Sequence, residues 1–331
     1  MKFINIKKMS KKCLFFLPLL ILFLACSPST GKYHSWVEDS SRLRVLSTTA
    51  MIGDLVEEIG KDRVNNLVLI YGELDPHSYE LVKGDDEKLN LASVVFYNGM
   101  GLEHGASLHH YLTSEKKAYS LGDSIKEKFP GKVLSIDGTL DPHIWMDISL
   151  WVHATYLVED VLSKQDPASA AYYHQNAADL RVRLEKHHEK IKQITQEIPA
   201  VKRYVVTSHD AFNYFARAYL ATDKERSDGS WHVRFQAPEG LAPEGRLSPY
   251  DIQKIMNHVK EFNIQVIFAE SNVSKESIRK ITSVAAKMNL GVVIASDVLY
   301  GDAMGPSISG GKPNYFDMME HNARNLQEHL Q

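Results

Sequence analysis

The sequence is poor in cysteine, which excludes several ways of building and using a protein. Only Cys13 and Cys26 occur among the 331 residues. Everything after Cys26 must therefore fold without disulfide bonds. A metal ion bound by that part of the chain would need nitrogen and oxygen ligands, because no thiolate is available there.

Long apolar runs are also scarce. The longest, from Leu14 to Ala25, has about a dozen residues and contains Pro18, whereas a helix that spans a bilayer needs roughly 20. Five lysines and no acidic residue precede the run. This pattern predicts a secretory signal peptide over residues 1–25, the alternative being a short membrane anchor that is retained.

A lipidation signal ends the apolar run. The segment Phe23-Leu24-Ala25-Cys26-Ser27 places a small residue before cysteine and resembles the lipobox of bacterial lipoproteins. We expect Cys26 to carry a lipid anchor; the alternative is ordinary cleavage that leaves an incidental thiol. The polar residues 26–42 are then expected to be a tether between the membrane and the folded part of the chain.

Basic residues are too few to suggest a nucleic-acid partner. Without residues 1–25, the chain has 33 basic and 41 acidic side chains and a net charge of −8. A nucleic-acid-binding face is not expected from that balance. We expect an exported monomer in the periplasm or at the cell surface.

Strand and helix patterns alternate along most of the chain. The strand patterns cover 43–47, 66–71, 93–97 and 132–136 in the first half, and 203–207, 265–269 and 291–295 in the second. This alternation predicts an α/β fold with doubly wound parallel sheets. Residues 222–245, rich in charge, Gly and Pro, are predicted to form a long surface insertion.

One helical stretch divides the chain in two. Residues 168–198 contain neither Pro nor Gly and are rich in strong helix formers, so a helix of about 45 Å is expected. We predict that this helix joins two α/β lobes. The domain boundaries are then 43–165 for the N-terminal lobe, 166–198 for the connecting helix and 199–331 for the C-terminal lobe.

The tripeptide Asp-Pro-His occurs twice, ending at His77 and at His143, each time with an aromatic residue two places later. Both histidines, and also His209, lie closely after predicted strands. Ligands of open α/β sheets collect beyond the carboxyl ends of the strands. We therefore predict that the three imidazoles converge in the cleft between the lobes.

A fourth donor is expected from the loop after strand 291–295, where Asp297 and Asp302 are equally placed by spacing. Three imidazole nitrogens and a carboxylate suit Zn²⁺, Mn²⁺ or Fe²⁺ better than Ca²⁺ or Mg²⁺. The aspartate before each Pro-His is expected to hold the turn or a ring N–H.

Two other functions would use the same donors. A secreted zinc-dependent hydrolase would keep one coordination position for water, but no His-Glu-x-x-His motif is present and only Glu270 offers a general base. A surface adhesin would keep the metal ion as a structural element.

Five segments, in this order, resemble those of the metal-binding solute receptors of ABC importers for zinc, manganese and iron, the cluster A-I family. They are the two Asp-Pro-His motifs, Ser208-His209-Asp210-Ala211-Phe212-Asn213-Tyr214-Phe215, Ile267-Phe268-Ala269-Glu270-Ser271 and Leu299-Tyr300-Gly301-Asp302-Ala303-Met304-Gly305. The resemblance extends from about residue 43 to the C-terminus. The long His- and acid-rich loop that is common in the zinc-importing branch is not present, which removes one argument for zinc.

The resemblance implies a ligand set of His77, His143, His209 and Asp302, with Asp297 a minor alternative. It also implies two lobes joined by a single rigid helix, with the metal site in the cleft between them. The partners would be an ABC permease and its cytoplasmic ATPase. The protein would capture Zn²⁺, Mn²⁺ or Fe²⁺ for import and would catalyse no reaction.

Overall fold

The structure is a computed structural model that describes residues 28–243, 247–308 and 310–331. The predicted signal peptide and Cys26 lie outside the described residues, so both remain predictions. Within the described ranges, no helix combines the length and the apolar character that crossing a bilayer requires.

A four-stranded parallel sheet forms the centre of the N-terminal lobe. Its strands are β1 (Leu43–Ser47), β2 (Val64–Val68), β3 (Val94–Tyr97) and β4 (Ala118–Ser120), in the order β2-β1-β3-β4. The helices of this region are α1 (Pro28–Glu38), α2 (Ala50–Gly60), α3 (Asp85–Leu91), α4 (Ala106–Ser114) and α5 (Leu121–Lys128). Neighbouring residues Val45 and Leu46 point into different apolar clusters. Both faces of the sheet are therefore covered, as in a doubly wound fold.

The strand predicted at 132–136 is wrong. Ser135–Ile136 (β5) pairs antiparallel with Thr139–Leu140 (β6), and β4 is the fourth strand of the parallel sheet instead. Between β5 and β6, Asp137 and Gly138 have φ values of 49° and 84°. Positive φ at both central residues is what a two-residue hairpin turn requires.

The C-terminal lobe repeats the parallel arrangement with shorter strands. They are β7 (Val205–Val206), β8 (Phe235–Gln236), β9 (Val266–Ile267) and β10 (Val293–Ile294). Strand β7 pairs with β8 and β9 with β10, while the amide of Phe268 donates to the carbonyl of Val206 at 2.8 Å and links the two pairs. The remaining helices are α6 (Ile148–Trp151), α7 (Ala154–Gln165), α8 (Ala170–Gln196), α9 (Asn213–Phe215), α10 (Asp223–Asp228), α11 (Pro249–Glu261), α12 (Glu276–Lys287) and α13 (Tyr315–Leu330).

Helix α8 joins the two lobes, and the predicted two-lobed α/β fold with one long helix is confirmed. Its 27 residues give a length of about 40 Å. The buried positions, among them Tyr173, Leu180 and Leu184, recur every three or four residues and form one apolar face. That face contacts α2 and α7 of the first lobe and α13 of the second. The lobes therefore share one core behind the cleft, which restrains their relative movement.

Residues 28–38 of the segment predicted as a tether, 26–42, form the helix α1. Trp36 on this helix is fully buried, and its indole N–H donates to the carbonyl oxygens of Val45 and Asn65 at 3.2 and 2.9 Å. Burial of an indole with its N–H satisfied explains why this polar segment packs on the domain.

Residues 222–245 are not simply a surface insertion. Within this segment α10 begins with a capping box between Thr222 and Glu225, and β8 extends the C-terminal sheet beside β7. Arg234 and Phe235 are buried, and the Arg234 guanidinium donates to Glu225 Oε2 at 2.9 Å. At least one of the charged residues that suggested a surface loop, Arg234, is therefore buried in the lobe and paired with Glu225.

Candidate metal centre

The structure brings together four residues singled out in the sequence: His77, His143, His209 and Asp302. All four are buried, and one donor atom from each lies within 4.8 Å of the others. The Nε2 atoms of His77 and His143 are 3.2 Å apart. The Asp302 carboxylate lies 3.1 Å from His209 Nε2, 3.4 Å from His143 Nε2 and 3.6 Å from His77 Nε2.

The two lobes contribute equally to this cluster. His77 follows β2, and His143 precedes a 3-10 turn, Ile144–Met146, after the β5–β6 hairpin. His209 follows β7, and Asp302 comes soon after Leu299, which forms a parallel bridge with Glu270. The donors thus lie beyond the ends of strands from both lobes, where α/β folds place their ligands.

The first Asp-Pro-His motif is a self-contained turn. Asp75 accepts a hydrogen bond from the His77 backbone amide at 2.9 Å and another from the Ser78 hydroxyl at 2.6 Å. Its carboxylate therefore holds the turn that carries His77. Glu80, the acidic residue downstream, accepts from the amides of Ala106 and Ser107 at the start of α4 and does not join the cluster.

The second motif is held from both lobes. Asp141 accepts from the His143 amide at 3.0 Å and from the ring Nδ1 at 2.7 Å. Because a carboxylate only accepts, Nδ1 carries the proton and Nε2 presents its lone pair to the cluster. From the C-terminal lobe, Asn213 donates to the Asp141 carboxylate and the Tyr214 hydroxyl donates to its carbonyl, each at 3.0 Å.

His209 faces Glu270, a residue that the sequence had suggested only as a general base. Glu270 Oε2 lies 2.7 Å from His209 Nδ1, and Oε1 accepts from the His209 amide at 2.9 Å. A carboxylate on the far side of an imidazole orients the ring and increases its basicity as a ligand. Two signals in the sequence pointed to Glu270, its place after a strand pattern and its occurrence in one of the five family-like segments, but neither assigned it this role.

Gly301 leaves the space that this arrangement needs. A Cβ atom at this position would lie 2.5 Å from Glu270 Oε2 and 3.1 Å from the Cβ of Ala211. Its carbonyl oxygen accepts from the indole N–H of Trp145 at 2.8 Å. The segment that carries Asp302 is thereby fastened to the second Asp-Pro-His motif.

Burial and mutual attraction set the charge of the cluster. Burial lowers the pKa of His77, which favours the neutral, metal-binding imidazole. Burial alone would also lower the pKa of His209, but the charges of Glu270 and Asp302 raise it well above its ordinary value. Burial disfavours the Asp302 carboxylate, yet the neighbouring imidazoles of His209 and His77 hold its pKa well below the ordinary value.

Two buried polar atoms of the cluster lack a partner in the described part of the protein, as expected for atoms that bind a metal ion. Asp302 Oδ1 and His209 Nε2 are buried and have no hydrogen-bond partner among the described residues. Such unpaired buried atoms are costly unless something binds them. A transition metal ion at the centre would accept the lone pairs of all four donors.

Asp297, the alternative carboxylate, lies outside the cluster, and so do three other side chains of metal-binding type. Asp297 is exposed, with its carboxylate 3.7 Å from His321 Nε2, and takes no part in the cluster. Asp147 caps α6 by accepting from the Ser149 amide at 3.0 Å. On α8, the His187 ring contacts the Phe316 carbonyl and the His188 ring contacts the Tyr219 hydroxyl.

The chain matches one known family over almost its whole folded length. Residues 45–329 match the family profile of ZnuA, the periplasmic component A of the zinc-uptake complex. The chain belongs to this family. Its members serve as extracytoplasmic metal-binding receptors of ABC importers.

Individual relatives carry different metals. The crystal structure of Fe(III)-bound YtgA from Chlamydia trachomatis is 37% identical, has a TM-score of 0.81 and matches 87% of this chain and 98% of that one. The periplasmic zinc-binding protein TroA from Treponema pallidum is 26% identical, with a TM-score of 0.77 and coverage of 87% and 99%. The manganese-binding lipoprotein MntA from Bacillus subtilis is 30% identical over 293 residues, with coverage of 87% and 90%.

Proposed function

We propose that this protein captures one divalent transition metal ion with His77, His143, His209 and Asp302 and presents it to an ABC permease. The observation that carries the proposal is the convergence of four buried donors from two lobes within 4.8 Å. Because each lobe supplies two donors, metal binding is coupled to the relative position of the lobes. Docking on the permease would release the ion by separating the two pairs.

Zn²⁺, Mn²⁺ and Fe²⁺ are the candidate ions. Three imidazoles and a carboxylate suit each of them, and intrinsic affinity places Mn²⁺ below Fe²⁺ and Fe²⁺ below Zn²⁺. The names of the relatives include all three metals. The deciding experiment is competition binding of the three ions to the metal-free protein under anaerobic conditions. Failure of all three to bind at one site per chain would overturn the proposal.

The partners of the receptor follow from this role. An ABC permease and its cytoplasmic ATPase would accept the ion, and a lipid on Cys26 would keep the monomer at the membrane. Mass spectrometry of the protein from membranes tests the anchor: the expected mass includes a diacylglyceryl group on Cys26. An unmodified Cys26, or cleavage at another position, would contradict this part of the proposal.

The geometry does not favour hydrolysis. Glu270, the candidate base, has one carboxylate oxygen against the His209 ring and the other on the His209 amide. Four protein donors also fill the coordination that a zinc hydrolase keeps open for water. We therefore expect no turnover of peptide or phosphoester substrates; turnover that disappears in Asp302→Ala would favour an enzyme.

A further inference from the structure

We propose that Arg203 binds a chloride ion, or another monovalent anion of similar size, at the edge of the C-terminal sheet opposite the metal centre. The anion is a ligand that the proposed function does not use, and its binding does not depend on the capture of a metal ion. Its expected effect is to stabilise the C-terminal lobe.

Two buried arginines lie at this edge of the sheet. Arg203 precedes β7, and Arg234 directly precedes the neighbouring strand β8. The two strands are parallel, with Val205 beside Phe235, so both arginines lie at the same edge. The metal donor His209 follows β7 at the opposite, carboxyl edge. The two arginines are therefore separate from the metal centre.

The Arg203 guanidinium is buried without a hydrogen-bond partner. Only 5% of the residue is exposed, and its Nε and Nη1 atoms are closed to solvent and donate to no atom of the described residues. Arginine stays protonated and carries five N–H donors. A buried charge with unpaired donors is costly, and buried polar groups are nearly always paired. Arg203 therefore needs an acceptor that the described part of the chain does not supply.

The two arginines near Arg203 both have carboxylate partners. Arg234 Nη2 lies 2.8 Å from Glu225 Oε1, and Arg234 Nε donates to the same carboxylate. Arg226 forms an ion pair with Asp223. Two carboxylates thus face three guanidinium groups, and the unpaired one is Arg203. The remaining charge is a single positive charge, which one monovalent anion neutralises.

The surroundings of Arg203 are electrostatically unfavourable for its own charge. Burial lowers the pKa of Arg203, and the positive charge of Arg234 lowers it further. The Glu225 carboxylate opposes this change, whereas the charge of Arg226 adds to it. An anion in contact with the guanidinium would compensate for both the burial and the repulsion.

Few donors are available to an anion at this site, which favours a halide. Nε and Nη1 of Arg203 have no acceptor in the described chain, but Arg234 Nη1 already donates to the carbonyl oxygen of Ala200. A phosphate or sulfate ion would bring more oxygens than these donors can pair and a second negative charge into a buried site. A halide brings one charge and accepts hydrogen bonds from any direction.

The first test is the chloride dependence of stability. Urea denaturation of metal-free wild type, Arg203→Met and the control Arg279→Met is measured at constant ionic strength, with sodium chloride replacing sodium gluconate. Methionine keeps an unbranched apolar chain but carries no charge and no N–H donor. Arg279 is exposed on α12.

An anion that binds only the folded state raises the folding equilibrium constant as its concentration rises. For wild type and Arg279→Met, we expect an increase of about tenfold between zero and about 200 mM chloride, which corresponds to a dissociation constant of about 20 mM. Arg203→Met should show no increase. A wild type that does not respond to chloride, or an equal response in Arg203→Met, would overturn the proposal.

The second test locates the anion in wild type and so does not require Arg203→Met to fold. Bromide replaces chloride, because its anomalous X-ray scattering distinguishes it from water. Crystals grown in sodium bromide should show an anomalous peak within hydrogen-bonding reach of Arg203 Nε or Nη1. Bromide peaks only at exposed side chains elsewhere, or none at all, would contradict the proposal.

Discussion

The indole of Trp145 donates a hydrogen bond to the carbonyl oxygen of Gly301, with 2.8 Å between the two atoms and 156 residues between them in sequence. Trp145 is the aromatic residue of the second Asp-Pro-His motif, and Gly301 precedes Asp302. This bond therefore connects a donor-bearing segment of one lobe to a donor-bearing segment of the other. It fixes the distance across which the four donors meet.

Trp145→Phe should lower metal affinity by about tenfold, because the segment that carries Asp302 loses its anchor. The Gly301 carbonyl would also lose its donor, at a cost of about 1–3 kcal/mol in unfolding free energy. Isothermal titration calorimetry and urea denaturation measure the two effects. Trp151→Phe is a matched control, since Trp151 is equally buried but its indole N–H has no partner among the described residues. Equal loss of affinity in both variants would contradict the role of the bond.

Gly301→Ala should reduce metal affinity by about 10- to 100-fold, because the added methyl displaces Glu270 from the His209 ring. Gly291→Ala is the control, because a Cβ atom there meets nothing within 4 Å. That control should bind metal like wild type and change the unfolding free energy by no more than about 0.5 kcal/mol. If Gly301→Ala bound metal with wild-type affinity, the contact between Glu270 and the His209 ring would not contribute to metal binding.

The fold was predictable wherever a periodic pattern was long or a cap was clear. The strand Leu43–Ser47 is observed at its predicted bounds, and Ser248, followed three residues later by Asp251, caps α11. The Asp137-Gly138 turn was missed although the dipeptide is a strong hairpin signal. Strand β4 has three residues, too few to show a period of two.

The convergence of the four donors was predictable because strand ends place them, but the contacts that orient them were not. Asn213 reaches Asp141 from the opposite lobe, and Trp145 reaches Gly301. Such contacts depend on how the lobes pack, which local sequence patterns do not encode. Tertiary packing also explains residues 28–38. Their polar composition predicted a tether, but the burial of Trp36 holds them as a helix against the lobe.

Asp54 on α2 accepts from the backbone amide of Tyr315, at the start of α13, at 3.1 Å. Burial raises the pKa of Asp54 to about 7; this N–H opposes the rise, and the charges of Glu58 and Glu57 add to it. The ordinary value is 3.8. The folded state therefore binds the proton more tightly than the unfolded state does, and this contribution to stability is lost as pH rises from about 4 through about 7.

Asp54→Asn should remove this pH dependence while keeping a side-chain acceptor for the Tyr315 amide. Relative to wild type, the variant should become more stable as pH rises from about 5 to about 8. Urea denaturation of both metal-free proteins across that range gives the difference directly. Parallel stability curves would show that Asp54 does not titrate as inferred.

Metal analysis of single-histidine variants tests the central claim most directly. Wild type, His77→Ala, His143→Ala and the surface control His110→Ala are loaded with Zn²⁺, dialysed and analysed for metal, with circular dichroism to verify folding. We predict one ion per chain in wild type and in His110→Ala, and none in His77→Ala or His143→Ala although both remain folded. A folded His143→Ala protein that retains one ion per chain would contradict the account.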